Sequence, residues 1–319
     1  MSKAAAGPPP RPRADPRQAS ARHVLIATST ITVALVVLAA ACLGVAVAKY
    51  LASPAAARAE TVSPAVARAE AASRRLAAAW VTQEVSHTAV VACDAQMCAA
   101  LTADGFPSGY VRVLGSNATY TTPLKSAVVV VTQAVRDLFG SSFTSNFAPA
   151  VLAAFGSADA GITVRVIAPG GAAAYHAQFS EALAAWKNAG SGLVQTPGIT
   201  ESAEAKKQLE AGRPDARLLL AIASLAITQR VDILDFGNIG PGADPAIPLR
   251  FADLAESDNG TRTANPAYVR ALRAALRTVS AQFRPTTAVT TKLRDGQPVL
   301  RIEVTAPTLL TLLVPPTLR

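Results

Sequence analysis

Between His23 and Lys49 lie twenty-five residues without a charge, VLIATSTITVALVVLAAACLGVAVA. The hydrocarbon core of a bilayer is about 30 Å thick and an α-helix rises about 1.5 Å per residue, so about 20 apolar residues cross it. The run is long enough to do so with some tilt. It predicts a transmembrane helix over residues 24–48, with a short tail before it and a much longer segment after it.

The flanks give the helix a direction. Residues 1–23 carry Lys3, Arg11, Arg13, Arg17 and Arg22 against one acid, Asp15. An excess of Lys and Arg next to a span marks its cytoplasmic side. The expectation is a single-pass protein of the cell membrane, its N-terminus cytoplasmic and its C-terminal part extracytoplasmic. The tail (GPPPRPRADPRQ) is too rich in Pro and Arg to bury a core and reads as disordered. Two processing alternatives stay open. A cleaved signal would use Ala55-Ala56-Ala57, although signal peptides have apolar stretches of about 7–15 residues. A lipoprotein would modify Cys42, although the apolar run continues past it to Ala48.

Charge adds little beyond topology. The formal net charge is +9, from 30 basic and 21 acidic residues. The first fifty residues hold six of the basic residues and one acid, which leaves 24 against 20 and a net of +4. Half of the excess thus has a topological explanation. No basic stripe is interleaved with aromatics, so nucleic acid is not an expected partner. The expected partners are the lipid bilayer, through residues 24–48, and either another envelope protein or a cell-wall polymer. Outside the cytoplasm neighbouring cysteines tend to pair. Cys93 and Cys98 (VVACDAQMC) are therefore expected to form a disulfide, with a strand ending at Cys93 and a first helical turn at Cys98. Their spacing is not that of a CxxC redox or metal site.

The remaining pattern alternates helical segments with short apolar runs, which predicts α/β architecture. The expected chain order is a tail (1–23), the transmembrane helix (24–48), a stalk (49–73) and one or two small α/β sandwich units with mixed sheets, over 74–170 and 171–319. In the first unit, helices are expected over 74–86, from Asp94 to Ala103, over 133–139 and over Phe147–Phe155. Its four expected strands are Ala89–Cys93, Tyr110–Leu114, Ala127–Thr132 and Gly161–Ala168. The third, AVVVVT, is apolar throughout and β-branched, so a central place is expected. In the second unit, helices are expected over Ala172–Asn188, Ser202–Ala211, Asp215–Gln229 and from Pro266 through Phe283. Strands are expected at Leu193–Thr196, Val231–Phe236 and Leu249–Ala255, with a hairpin over Ala288–Thr305 turning at Asp295-Gly296.

No catalytic, cofactor-binding or metal-binding residue is assigned. The Gly-rich loop FGNIGPG follows a strand but no helix with an acidic partner follows it, so it reads as a turn rather than a phosphate cradle. There is no GxSxG elbow and no HExxH. His87 and His176 read as surface histidines. Asp232 and Asp235 share a strand but, at a spacing of three, are expected on opposite faces. Acids that meet only in three dimensions leave a glycoside-hydrolase pair open. The sequons at Asn117 and Asn259 mark polar loops.

Two stretches, AVVVVTQAVRDLFG and VLAAFGSADAGITVRVIAPGG, resemble the extracytoplasmic C-terminal domain of actinobacterial membrane glycosyltransferases, over roughly residues 75–170. The same order of segments resembles that of actinobacterial single-span membrane proteins. In the glycosyltransferases this domain is accessory, and catalysis depends on acidic residues in luminal loops between spans. A chain with one span lacks those loops, so the resemblance implies the fold and not glycosyl transfer. Residues 198–256 are similar to a cell-wall peptidase framework, in which a helix like PDARLLLAIASLA precedes a strand and a metal-binding HxxGxAxD. Here PLRFADL stands at that place without the His, which implies that any zinc site is lost. The leading expectation is a non-catalytic binding or assembly module at the cell envelope. The alternative is an envelope enzyme acting on carbohydrate or peptidoglycan, such as a degenerate peptidase-like domain.

Overall fold

Residue Val129 sits on the central strand of one of two sheets, with helices above and below it. The computed structural model describes residues 63–313, apart from 158–160, 259–260, 264–265, 282 and 294–295. The tail, the run 24–48, Cys42, the stalk up to residue 62, Asn259 and Asp295 lie outside the described residues. Among the described residues no helix is long and apolar enough to cross a membrane. All of them belong to one compact unit, Val62–Arg319.

Helix α1 (Pro64–Glu84) starts with Pro at its first position, where the missing N–H costs nothing. It begins ten residues earlier than the pattern predicts and takes up the end of the expected stalk. Four elements follow in order: β1 (Val91–Cys93), α2 (Ala95–Ala103), β2 (Val111–Val113) and β3 (Val128–Val131). Asp94 caps α2, accepting from the backbone N–H of Gln96 and Met97. Its other oxygen accepts from Thr132 Oγ1 at 2.5 Å, and Thr132 caps α3 (Gln133–Phe147) through the N–H of Val135. One carboxylate thus ties two helix starts together.

Two expectations fail next. Helix α3 runs on to Phe147, through a break at Gly140 (φ 69°). The segment expected to be a helix over Phe147–Phe155 is instead a strand, β4 (Ala150–Phe155), paired antiparallel to β5 (Ile162–Val166). Pairing along a neighbouring strand outweighs the helical preference of AVLAAF. The first sheet therefore has five strands rather than four, in the order β2-β1-β3-β5-β4. It is mixed: β1 runs parallel to β2 and β3, whereas β5 is antiparallel to β3 and β4. Side chains of β3 alternate between two cores. Val128 and Val130 pack with α1 and α2, and Val129 and Val131 with Val135, Phe139 and Phe143 of α3.

The second half opens with α4 (Ala172–Val194), which covers the expected strand at Leu193; the strand is β6 (Ile199–Glu201) instead. Helices α5 (Ala203–Glu210) and α6 (Ala216–Ala226) precede β7 (Val231–Gly237), β8 (Phe251–Asp258) and β9 (Thr261–Thr263), and α7 (Pro266–Leu276) follows them. The predicted hairpin is β10 (Thr287–Lys292) with β11 (Pro298–Glu303). The sheet order is β10-β11-β8-β7-β6, with β9 on β8, and only β6 and β7 are parallel. Residues from all four helices pack on one face, against Ile233, Phe236, Leu254 and Leu300. The architecture is α/β with two mixed sheets.

Asp232 and Asp235 correct another expectation. Asp232 pairs with Ala255 and Asp235 with Asp253, with a register shift between Ile233 and Asp235. Ala255 and Asp253 are two apart, so both acids share the face away from the helices. One extra residue at the bulge turns a spacing of three into a spacing of two.

Candidate functional site

The Gly-rich loop after β7 is the element that builds the site. Rather than cradling a phosphate, it docks on the first sheet. The Ala154 N–H donates to Gly242 O, and the Asp244 N–H donates to Leu152 O. Gly240 (φ 77°) lies against Trp80, where a Cβ would meet Cδ1 at 3.1 Å. Gly242 (φ 92°) lies against Phe155, where a Cβ would meet Cε1 at 2.7 Å. Both glycines serve a positive φ and a close approach that a side chain would prevent.

Beyond this dock the chain leaves a cleft of about 670 Å³. Its walls are the start of β4, the end of β5, the first two turns of α4, the loop at 244–248 and the C-terminal segment Pro307–Thr311. The lining is mostly apolar, with Leu152, Ile167, Phe179, Ile247 and Leu309 among its side chains. A few polar groups converge on it: Tyr175, His176 and Gln178 from α4, and Asp244 from the loop. A large apolar concavity with few polar groups is the usual form of a binding site.

Local structure sets each polar group. Asp244 is folded into a turn, its Oδ1 accepting from the Ala246 N–H at 2.7 Å. Arg165 donates to Ala148 O at 2.9 Å, and burial lowers its pKa while the charge of Asp244 opposes that shift. Tyr175 stacks on Phe179, ring centroids 6.2 Å apart, and Phe179 meets Trp186 edge-on at 6.0 Å. Burial raises the Tyr175 pKa, which keeps its phenol neutral. These rings lead from the cleft into the second core. Among the described residues no hydrogen bond joins Tyr175, His176, Gln178 and Asp244 to one another, so they form no nucleophile and base pair. Among the described residues Asp244 is the single carboxylate of the lining. Acid and base catalysis on a glycan needs two.

The two histidines are not brought together as partners. His176 is exposed on the cleft's rim, whereas His87 follows α1, bonds Thr82 O through Nε2 and meets Phe106 edge-on. Cys93 and Cys98 are joined, S–S 2.00 Å and Cα–Cα 5.4 Å, across the turn from β1 into α2. Among the described residues no group of three or more His, Cys, Asp or Glu could hold a metal ion.

The outer face of the second sheet carries Asp235 and Asp253. Arg301 grips Asp253 with two hydrogen bonds, of 2.8 and 2.7 Å, and lies over Phe251 at 4.0 Å from the ring centroid. Asp235 stands opposite Asp253; desolvation first, and then that neighbour's charge, raises its pKa against the pull of the Phe236 N–H. Neither acid lines the cleft.

Sequence reasoning missed the cleft because its walls come from segments far apart in the chain, 149–152, 166–179, 244–248 and 307–311. It also missed a buried pair, Glu84 with Arg250; its one signal was an Arg placed inside the apolar run PLRFADL. The chain matches no protein-family model, no curated protein and no solved structure.

Proposed function

We propose that the protein is a single-pass, membrane-anchored binding module on the extracytoplasmic side of the cell envelope, and that its cleft receives an apolar segment of another envelope protein. The observation that carries this reading is the cleft itself: 670 Å³ of mostly apolar wall with one carboxylate. A cell-wall glycan would bring many hydroxyl groups, and each one buried without a partner is costly. Apolar side chains lose nothing there and gain about 25 cal/mol per Å² buried. The uncharged run 24–48 and its basic flank support the anchor and its direction.

Site-specific photo-crosslinking on intact cells tests the reading. A photoreactive residue at Phe179 or Leu309 should capture one defined envelope protein, and the same residue at Ile227, which is 83% exposed at the end of α6, should not. The capture should vanish when Val151→Asp puts a charge in the cleft. Equal capture from Ile227 would sink the proposal.

One observation favours a second reading, an envelope enzyme acting on carbohydrate or peptidoglycan. Asp235 and Asp253 are cross-strand neighbours, and Asp235 has a raised pKa, as a general acid would. Arg301 occupies both oxygens of Asp253, which leaves that carboxylate poorly placed to act as a base.

A further inference from the structure

Among the described residues the cleft is lined by one carboxylate, that of Asp244, and by no Lys or Arg. The acid is half-buried and held in place by its own turn. Its Oδ1 accepts from the Ala246 N–H at 2.7 Å, and among the described residues its Oδ2 accepts no hydrogen bond. The charge of Arg165 reaches it from β5. The N–H groups of Arg165 are directed elsewhere: Nη1 donates to Ala148 O at 2.9 Å and Nε to Thr163 Oγ1 at 3.2 Å. Among the described residues no ion pair joins Arg165 to Asp244. One oxygen of the carboxylate is therefore left for a ligand.

The need for a partner grows when the cleft is filled. Water serves that oxygen while the cleft is open, and an occupant excludes it. A carboxylate shut in with one backbone donor is costly, because nothing replaces its lost hydration. An occupant with a cationic N–H supplies the replacement as a charge-assisted hydrogen bond. An anion would meet Asp244 with a like charge and find no Lys or Arg in the lining. The other polar side chains favour the same choice. The phenol of Tyr175 and the amide of Gln178 each bring an oxygen that accepts. The stacked rings of Tyr175 and Phe179 attract positive charge at their faces.

We infer that the segment received by the cleft carries a Lys or Arg among its apolar residues, and that Asp244 selects for it. The inference rests on the binding reading above for the kind of partner. The apolar walls take the flanking side chains and the aliphatic stem of the basic residue, and Asp244 Oδ2 takes its head group. Oδ1 stays with the Ala246 N–H, so the turn need not open. An uncharged or acidic counterpart of similar size leaves the carboxylate shut in, and that penalty is what gives selectivity.

Binding of three probe peptides to the full chain in phosphatidylcholine nanodiscs tests this, with empty discs as the blank. The probes are acetyl-Leu-Lys-Leu-amide and the same peptide with Gln or Glu at its centre. The Lys peptide should bind about tenfold more tightly than the Gln peptide, and the Glu peptide more weakly than either. Asp244→Asn keeps an oxygen for the Ala246 N–H and so keeps the turn; it should bring the Lys and Gln peptides to within about twofold of each other. Asp244→Lys should reverse the order of the Lys and Glu peptides. Equal binding of all three by the wild type, or no binding of any, overturns the inference. So does a preference for Lys that survives in Asp244→Asn. Photo-crosslinking from Phe179 separates the inference from the reading beneath it. If the wild type and Asp244→Asn capture the same envelope protein equally well, the choice of a cation fails and the binding reading stands. If nothing is captured but the peptides are told apart through Asp244, the protein partner fails and the cleft stands as a site for a cation flanked by apolar groups.

Discussion

The two sheets solve the same problem differently. The first is covered on both faces, by α1 and α2 on one side and α3 on the other, so its central strand reads VVVV and is buried throughout. The second carries all four helices on one face, and its strands alternate: Ala252, Leu254, Leu300 and Ile302 point inward, and Asp253 and Arg301 outward. A strand between two helical layers has no polar side to give. A strand with one open face keeps charged residues there, where they pair with one another across the ladder. The second sheet thus presents a charged outer face, with Arg301 bound to Asp253. The apolar cleft forms where the second half's loop meets the edge strand of the first.

Substitutions can break this comparison. Val130→Asp, on the doubly covered strand, should lose more than about 4 kcal/mol and abolish folding, because no partner waits for the charge. Val289→Asp, on the open face of β10 and 46% exposed, should change the stability read from urea unfolding by less than about 0.5 kcal/mol. Similar losses at both positions would contradict the difference in layers.

The junction between the sheets comes next in size. The folded state raises Glu84 to about 7, so it binds the proton that the unfolded chain has already released. Stability is therefore greatest below the unfolded value of about 4.5 and falls as pH rises through 7, by at most about 3 kcal/mol. Melting of wild type and Glu84→Gln across pH 4–8 checks the sign: the wild type should lose stability with rising pH relative to the variant. A single transition in both would also show that the two sheets unfold together.

Replacing Cys93 and Cys98 by Ser should cost about 2 kcal/mol, as expected for a loop this short. The loss should appear in hydrogen exchange across β1 and α2 before it appears in the second sheet. Smallest of all, Ser202→Ala should cost about 1 kcal/mol by removing the cap that accepts from the Ala205 N–H. Asp94→Ala should cost more, since Asp94 caps α2 and also holds Thr132.

Local signals account for what was legible. Asp94 as a cap, β3 as the centre of its sheet, the β10 and β11 hairpin and the amphipathic helices were all readable from residue type and period. The failures share a cause. AVLAAF is as good a helix as a strand until β5 lies beside it. Asp232 and Asp235 change faces only because of a bulge, which depends on the register with β8. The Gly-rich loop looked like a turn, and only Trp80 and Phe155 from the other half explain its glycines.

By itself, then, the sequence determined the uncharged run with its basic flank, the α/β alternation, and the burial of the central strand β3. These follow from hydrophobic period and charge, which act within a few residues. The tertiary structure alone decided that distant segments enclose an apolar cleft, and that Arg250 sits against Glu84, 166 positions away. Burial of this kind depends on which surfaces come together and exclude water, and no local stretch of chain records that.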